Sequence, residues 1–129
     1  MSFFKSMFSS SDDKDSNESK LNWTELTDLG QLNEIIATSI EKPVVIFKHS
    51  TRCSVSRMAL KQFENEFVSR DKVTPYFLDL IAHRNISNEI AHHFGVTHQS
   101  PQLILIKDGK AIYNVSHSDI DAGELKAKV

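Results

Sequence analysis

An α/β fold with a mixed central sheet is predicted by three observations. Apolar runs at Val44–Lys48, Pro75–Leu80 and Leu103–Lys107 read as core strands, and the four consecutive apolar residues after Pro43 point to burial on both faces. The stretches between these runs carry apolar residues at helical spacing. Asp108-Gly109 then separates Leu103–Lys107 from Ala111–Val115 by two residues, a strong short-range hairpin signal. Alternating strands and helices imply parallel strands joined by right-handed crossovers, and the terminal hairpin adds antiparallel ones. The expected order is β-α-β-α-β-α-β-β-α, a sheet of four to five strands flanked by helices.

The totals fit one domain. At 129 residues the chain can build one real core and is too short for two comfortable domains. Its apolar content of 40% and charged content of 25% are ordinary for a soluble globular protein. A formal net charge of −2 leaves no basic surplus for a nucleic-acid backbone. No apolar stretch approaches the roughly 20 residues of a membrane span. The opening Met1-Ser2-Phe3-Phe4-Lys5-Ser6-Met7-Phe8 is too short and interrupted for a signal-peptide core.

The elements follow in order. Ser9 to Lys20 is almost entirely Ser, Asp, Asn, Glu and Lys, so residues 1–20 are expected to be a disordered tail before a domain spanning 21–129. Phe3, Phe4, Met7 and Phe8 make a small apolar patch for a membrane surface or partner, but eight residues are too few for a stable amphipathic helix. Leu21–Leu26 suits a short edge strand or docking segment. Asp28 followed by Gln31 resembles a capping box, and Leu29, Leu32, Ile35, Ile36 and Ile40 then recur at helical spacing until Pro43 ends the helix. The strand Val44–Lys48 precedes a helix from Cys53 to about Val68, with apolar positions at Val55, Met58, Ala59, Phe63 and Phe67. After the strand Pro75–Leu80, Asn85 or Ser87 can cap a short helix that Gly95 terminates. Beyond the hairpin, Ser118 or Asp119 can cap a last helix containing Ile120, Leu125 and Val129.

Cys53 is the only cysteine, so no internal disulfide exists and a reducing compartment, the cytoplasm, is expected. A lone cysteine can be a small buried hydrophobe. Here it stands where a strand gives way to a helix, with Arg52, Ser54 and Arg57 around it. Unpaired N–H groups and the macrodipole at a helix N-terminus favour an anion, the setting of a reactive thiolate.

Ser100-Pro101-Gln102, directly before the strand Leu103–Lys107, adds a second marker. A proline at the mouth of a central strand leaves neighbouring backbone groups free for a substrate to pair with. Together with the helix-start cysteine, this pattern resembles the thioredoxin fold, which implies a cis Ser100–Pro101 bond beside Cys53. X–Pro bonds in general are trans, with about 5–6% cis in folded proteins. Thioredoxins carry Cys-x-x-Cys, whereas this chain reads Cys53-Ser54-Val55-Ser56. A hydroxyl cannot displace sulfur, so Cys53 can attack a mixed disulfide and hold the small thiol but needs a second thiol from elsewhere. Ser56 either donates to the thiolate or is a first-turn helix residue.

Five segments in order sharpen the likeness: Lys48-His49-Ser50-Thr51-x-Cys53-x-Val55-Ser56, Leu78-Asp79-Leu80-Ile81-x-His83-Arg84, Ser87-Asn88-x-Ile90-Ala91, Val96-x-His98-Gln99-Ser100-Pro101-Gln102 and Ser116-His117. Across roughly Leu21 to Val129 the chain closely resembles the monothiol bacilliredoxins. The resemblance implies a monothiol thiol-disulfide oxidoreductase that removes bacillithiol from S-bacillithiolated proteins, in redox homeostasis and the oxidative stress response. Bacillithiol is then a co-substrate, with no tightly bound cofactor, and bacillithiol or a partner redoxin is the reductant of a monomeric protein. Family members commonly have Pro after the cysteine, where Ser54 stands here; Pro would pre-set the first helical φ.

Bacillithiol is a cysteinyl-glucosamine linked to malate, so its site needs donors for carboxylates and sugar hydroxyls. Lys48 and Arg52 are the foremost candidates, with Thr51 and Ser54 beside the cysteine and Ser100 and Pro101 on the opposite wall. Arg57 and Arg84 are equally well read as solvated or ion-paired surface residues. By likeness to glutaredoxins, which place an anion-receiving helix N-terminus there, the turn holding Ser116 and His117 is a further candidate, although Asp119 opposes an anion.

The six histidines invite a metal reading. His92 and His93 point about 100° apart on a helix, and neither a second cysteine nor a His-Glu-x-x-His pattern exists, so no metal is expected. His49, four residues before Cys53, either tunes the thiolate or bonds within the turn. Two other functional classes compete with the enzyme: a redox-inert binding module of the same fold, and a sensor whose cysteine is oxidised to sulfenic acid or an intermolecular disulfide.

Overall fold

The computed structural model describes residues 22–67 and 72–129. The expected tail at 1–20 lies outside these ranges, and the helix expected to run from Cys53 to about Val68 ends at Glu66, where Phe67 turns extended. The elements are β1 (Thr24–Glu25), α1 (Gln31–Glu41), β2 (Val44–His49), α2 (Ser54–Glu66), β3 (Thr74–Asp79), α3 (Arg84–Phe94), β4 (Gln102–Lys107), β5 (Lys110–Ser116), a 3-10 turn (His117–Asp119) and α4 (Ala122–Lys126). The five strands lie in the order β1-β3-β2-β4-β5. β1, β3 and β2 run parallel, while β4 pairs antiparallel with both β2 and β5. This is the predicted α/β class, with the 3-10 turn added.

β2 is central, and all six of its residues are buried. Its period-2 alternation divides the core. Val44 and Ile46 pack with Leu32 and Ile35 of α1 and Ile86 and Ile90 of α3. Val45 and Phe47 pack on the other face with Phe63 of α2 and Leu125 of α4. Each such side chain contributes about 1.5–3 kcal/mol when fully buried. The result is a three-layer sandwich in which the strand leading to Cys53 has water on neither face.

The element ends depart from sequence expectation for local reasons. α1 starts three residues after Asp28: the Asp28 carboxylate accepts from Gly30 N–H (3.0 Å), while Gln31 Oε1 reaches back to the N–H groups of Thr27 and Asp28 (2.7 and 3.0 Å). α3 begins at Arg84, ahead of the expected caps Asn85 and Ser87. Asp79 orders the preceding turn instead, accepting from Ile81 and Ala82 N–H (3.1 and 3.3 Å). Gly95 ends α3 in the left-handed region (φ 65°), as its position predicts. α4 is capped by Asp121, which accepts from Gly123 N–H at 2.7 Å, so neither Ser118 nor Asp119 is its cap. At the hairpin, Asp108 and Gly109 both take positive φ (53° and 76°), as a type I′ turn requires. Ser39 of α1 fastens that turn: its hydroxyl accepts from Gly109 N–H (2.8 Å) and its carbonyl from Asp108 N–H (2.9 Å).

Four expected helix-face residues are exposed, among them Leu29, which precedes the first residue of α1. Ile40 lies on the outer side of α1, and Val55 and Met58 project from the first turns of α2.

Candidate functional site: a single thiol where β2 meets α2

The buried run of β2 ends at His49, and a turn through Ser50, Thr51 and Arg52 delivers Cys53 to the N-cap position of α2. Cys53 has extended backbone angles (φ −109°, ψ 122°). Its N–H donates to Ser50 O (3.2 Å) and its carbonyl accepts from Arg57 N–H (3.1 Å). The residue is half-buried and its thiol is free. α2 runs for 13 residues, so its first-turn N–H groups and aligned peptide dipoles bear on this end.

Beneath the turn lies a network that the sequence left open. Ser56 is fully buried, and its hydroxyl oxygen accepts from Ser50 N–H at 3.0 Å and lies 2.8 Å from His49 Nδ1. Burial is the chief cause that lowers the pKa of His49; Arg57 pushes the same way, and Asp79 and Glu64 oppose it. A neutral His49 with its proton on Nε2 accepts the Ser56 hydroxyl proton at Nδ1, so the Ser56 hydroxyl both donates and accepts. No hydrogen bond among the described residues joins Ser56 to the Cys53 sulfur. Of the two readings of Ser56, this geometry displays the first-turn helix residue, locked to the strand below. Of the two for His49, it displays the bond within the turn.

Lys48 departs most from expectation. Expected beside a ligand's carboxylates, it is fully buried on the α1/α3 face of the sheet. Its Nζ donates to the Ser87 carbonyl (3.2 Å) and lies 3.3 Å from His98 Nδ1. Burial lowers its pKa to about 8. The physical reason is the pleat: Lys48 shares a face with Val44 and Ile46, and that face is covered by α1 and α3. Arg52, Thr51 and Ser54 are exposed around the cysteine. The Arg57 guanidinium donates to Thr51 O (3.1 Å), bracing the turn.

The opposite wall comes from β4 and β5. Ser100–Pro101 is a cis peptide bond, as the fold resemblance implied. Antiparallel pairing of Lys48 with Gln102 puts Pro101 at the edge of the sheet where β2 ends. The Pro101 carbonyl accepts from His117 N–H at 2.9 Å, which draws the 3-10 turn against the proline. Ser116 pairs with Gln102 and is half-buried, and His117 is exposed with φ 56°. Next to this wall Val55, Met58, Ala59, Gln62, His117 and Ile120 line an open, largely apolar cleft of about 180 Å³.

The structure thus brings together Cys53, Thr51, Arg52, Ser54, Pro101, Ser116 and His117 at one edge of the sheet, and takes Lys48 and the Ser56 hydroxyl into the interior. Sequence reasoning missed the polar group under the second wall. Ser87 Oγ lies 3.1 Å from His98 Nδ1, and Gln102 Nε2 donates to Thr97 O at 2.9 Å. A lysine in phase with Val44 and Ile46 was the available signal. Among the described residues no group of three or more His, Cys, Asp or Glu side chains is arranged to hold a metal ion. None of the described helices is long and apolar enough to cross a membrane.

Fold and site together define a thioredoxin-fold protein with one thiol at the redox position. The model of the monothiol bacilliredoxin BrxC family matches residues 24–125, and the chain belongs to that family. A solved protein described as an oxidoreductase with a thioredoxin fold is 30% identical, covering 80% of this chain and 89% of its own at a TM-score of 0.70. The thioredoxin Mala s 13 of Malassezia sympodialis is 22% identical, covering 88% of this chain and 93% of its own, with a TM-score of 0.66. Mitochondrial thioredoxin 3 of Saccharomyces cerevisiae is also 22% identical, covering 83% and 92%, with a TM-score of 0.62. The function is thiol redox chemistry.

Proposed function

We propose that this protein removes bacillithiol from S-bacillithiolated proteins in the cytoplasm as a monothiol oxidoreductase. The observation that carries the reading is a free, half-buried Cys53 at a helix N-terminus with Ser56 where thioredoxins have a second cysteine. Family membership supports bacillithiol as the thiol carried.

The Cys53 thiolate attacks the bacillithiol sulfur of the mixed disulfide. A Cys53–bacillithiol S–S bond forms, the substrate's S–S bond breaks, and the substrate leaves as a thiolate that takes a proton from solvent. Ser56 cannot displace the adduct, so a second thiol, from bacillithiol or a partner redoxin, attacks it. That thiol is oxidised to a disulfide as Cys53 is released reduced. Exposed Arg52 supplies a cation for the malate carboxylates, Thr51 and Ser54 supply hydroxyls, and the backbone about Ser116 and His117 supplies the other flank. The apolar cleft beside His117 accepts the protein partner.

The test is intact mass spectrometry of the protein mixed with a bacillithiolated target, followed over time, with a glutathionylated target in parallel. The expected result is transfer of the bacillithiol mass to the wild type and none to Cys53→Ala. Persisting transfer in Cys53→Ala would overturn the mechanism, and faster transfer of glutathione would overturn the assignment of the thiol.

A further inference from the structure

Among the described residues, Lys48 is the only buried Lys, Arg, Asp or Glu. Its ammonium bonds to a helix carbonyl and approaches a histidine, and among the described residues no carboxylate pairs with it. Burying such a group is costly and is weak evidence for a stabilising role. Its partners suggest what it does instead. His98 lies three residues before Pro101, in a stretch between α3 and β4 that has no ladder pairing. Gln102, directly opposite Lys48 in the antiparallel register, grips the same stretch through Thr97 O. Lys48 and Gln102 are both fully buried, and Gln102 Oε1 and Ser100 Oγ have no partner among the described residues. Thr97, His98 and Gln99 are exposed, so little apolar packing holds this stretch. The backbone groups of residues 98–100 form no hydrogen bond among the described residues, which leaves them open to an extended substrate segment.

We propose that Lys48 and Gln102 are positioning residues that hold the 97–101 loop against the cysteine edge and so set the affinity for the incoming mixed disulfide. Lys48 acts through His98 and the α3 backbone, Gln102 acts through Thr97, and neither touches the reacting sulfur. The affinity part rests on the function proposed above; the loop-holding part does not.

The test compares Lys48→Met and Gln102→Leu with the wild type in three measurements. Urea unfolding should find Lys48→Met as stable as the wild type or more so, because an apolar side chain of similar length replaces an uncompensated charge. Transfer from a bacillithiolated protein should show KM raised about tenfold with kcat within about twofold, the signature of binding lost without chemistry lost. Backbone ¹⁵N order parameters should fall towards about 0.6 at residues 98–100 and stay near about 0.85 in β4. Gln102→Leu should change KM and the order parameters in the same direction. Unchanged KM, unchanged loop order, or a KM rise that only tracks lost stability would each overturn the proposal. If wild type transfers no bacillithiol, the function proposed above fails. The order parameters then decide the loop-holding role alone.

Discussion

Replacing Ser56 with Ala is the sharpest probe of how the thiol turn is held. The change removes the acceptor of Ser50 N–H and the donor to His49 Nδ1 in a site with no exposure. A typical net hydrogen bond contributes about 1 kcal/mol, and a buried group left unpaired costs about 1–3 kcal/mol. Alanine returns up to about 0.5 kcal/mol through its better helix propensity. The balance is a loss of about 2–3 kcal/mol. With a urea m-value of about 1–3 kcal/mol/M, the unfolding midpoint falls by roughly 0.7–3 M. Urea unfolding of wild type, Ser56→Ala, His49→Gln and the double variant reads this directly. The pair should couple by at least about 0.5 kcal/mol, as contacting residues do. A loss below about 0.5 kcal/mol in Ser56→Ala, or strict additivity with His49→Gln, refutes the network.

Two further outcomes follow from groups described above. His49 has its pKa lowered from 6.5 chiefly by burial, and the largely exposed His98 has its own lowered by desolvation of its ring, with the Lys48 and Arg84 charges pushing the same way. The unfolded chain therefore binds more protons than the folded one just below pH 6.5, and stability is expected to fall as pH drops through the folded pKa values. Unfolding measured at stepped pH checks this, and His49→Gln should flatten the slope. Gly95→Ala meets nothing within 4 Å but must hold φ at +65°, so a loss of about 1 kcal/mol is expected from backbone conformation alone. Thermal unfolding measures it, and Gly95→Asn should cost less.

What the sequence made legible was what depends on local pattern. The apolar run of β2, the Asp108-Gly109 turn and Gly95 at the end of α3 each carry their signal within a few residues, and each lies where that signal puts it. Nearness to Cys53 along the chain points Lys48 toward the site, but the strand's alternation sends it inward with Val44 and Ile46. The His49–Ser56 bond spans a strand, a turn and a helix, so no periodicity announces it. The grouping of Lys48, Ser87, His98 and Gln102 draws on β2, α3, a loop and β4, and only the β2–β4 register brings them together. α3 starts ahead of Asn85 and Ser87 because Asp79, from the preceding strand, orders its entry in place of a side-chain cap.

The wall facing Cys53 comes from a later part of the chain, and this has a consequence during synthesis. Cys53 and Pro101 are 48 residues apart, and they meet only after β4 has paired with β2. At about 5–20 residues per second, a ribosome takes roughly 2–10 s to add the intervening stretch. Throughout that interval the chain carries its one thiol before the residues of the opposite wall have been added. The finished site is one whose second wall arrives after its nucleophile.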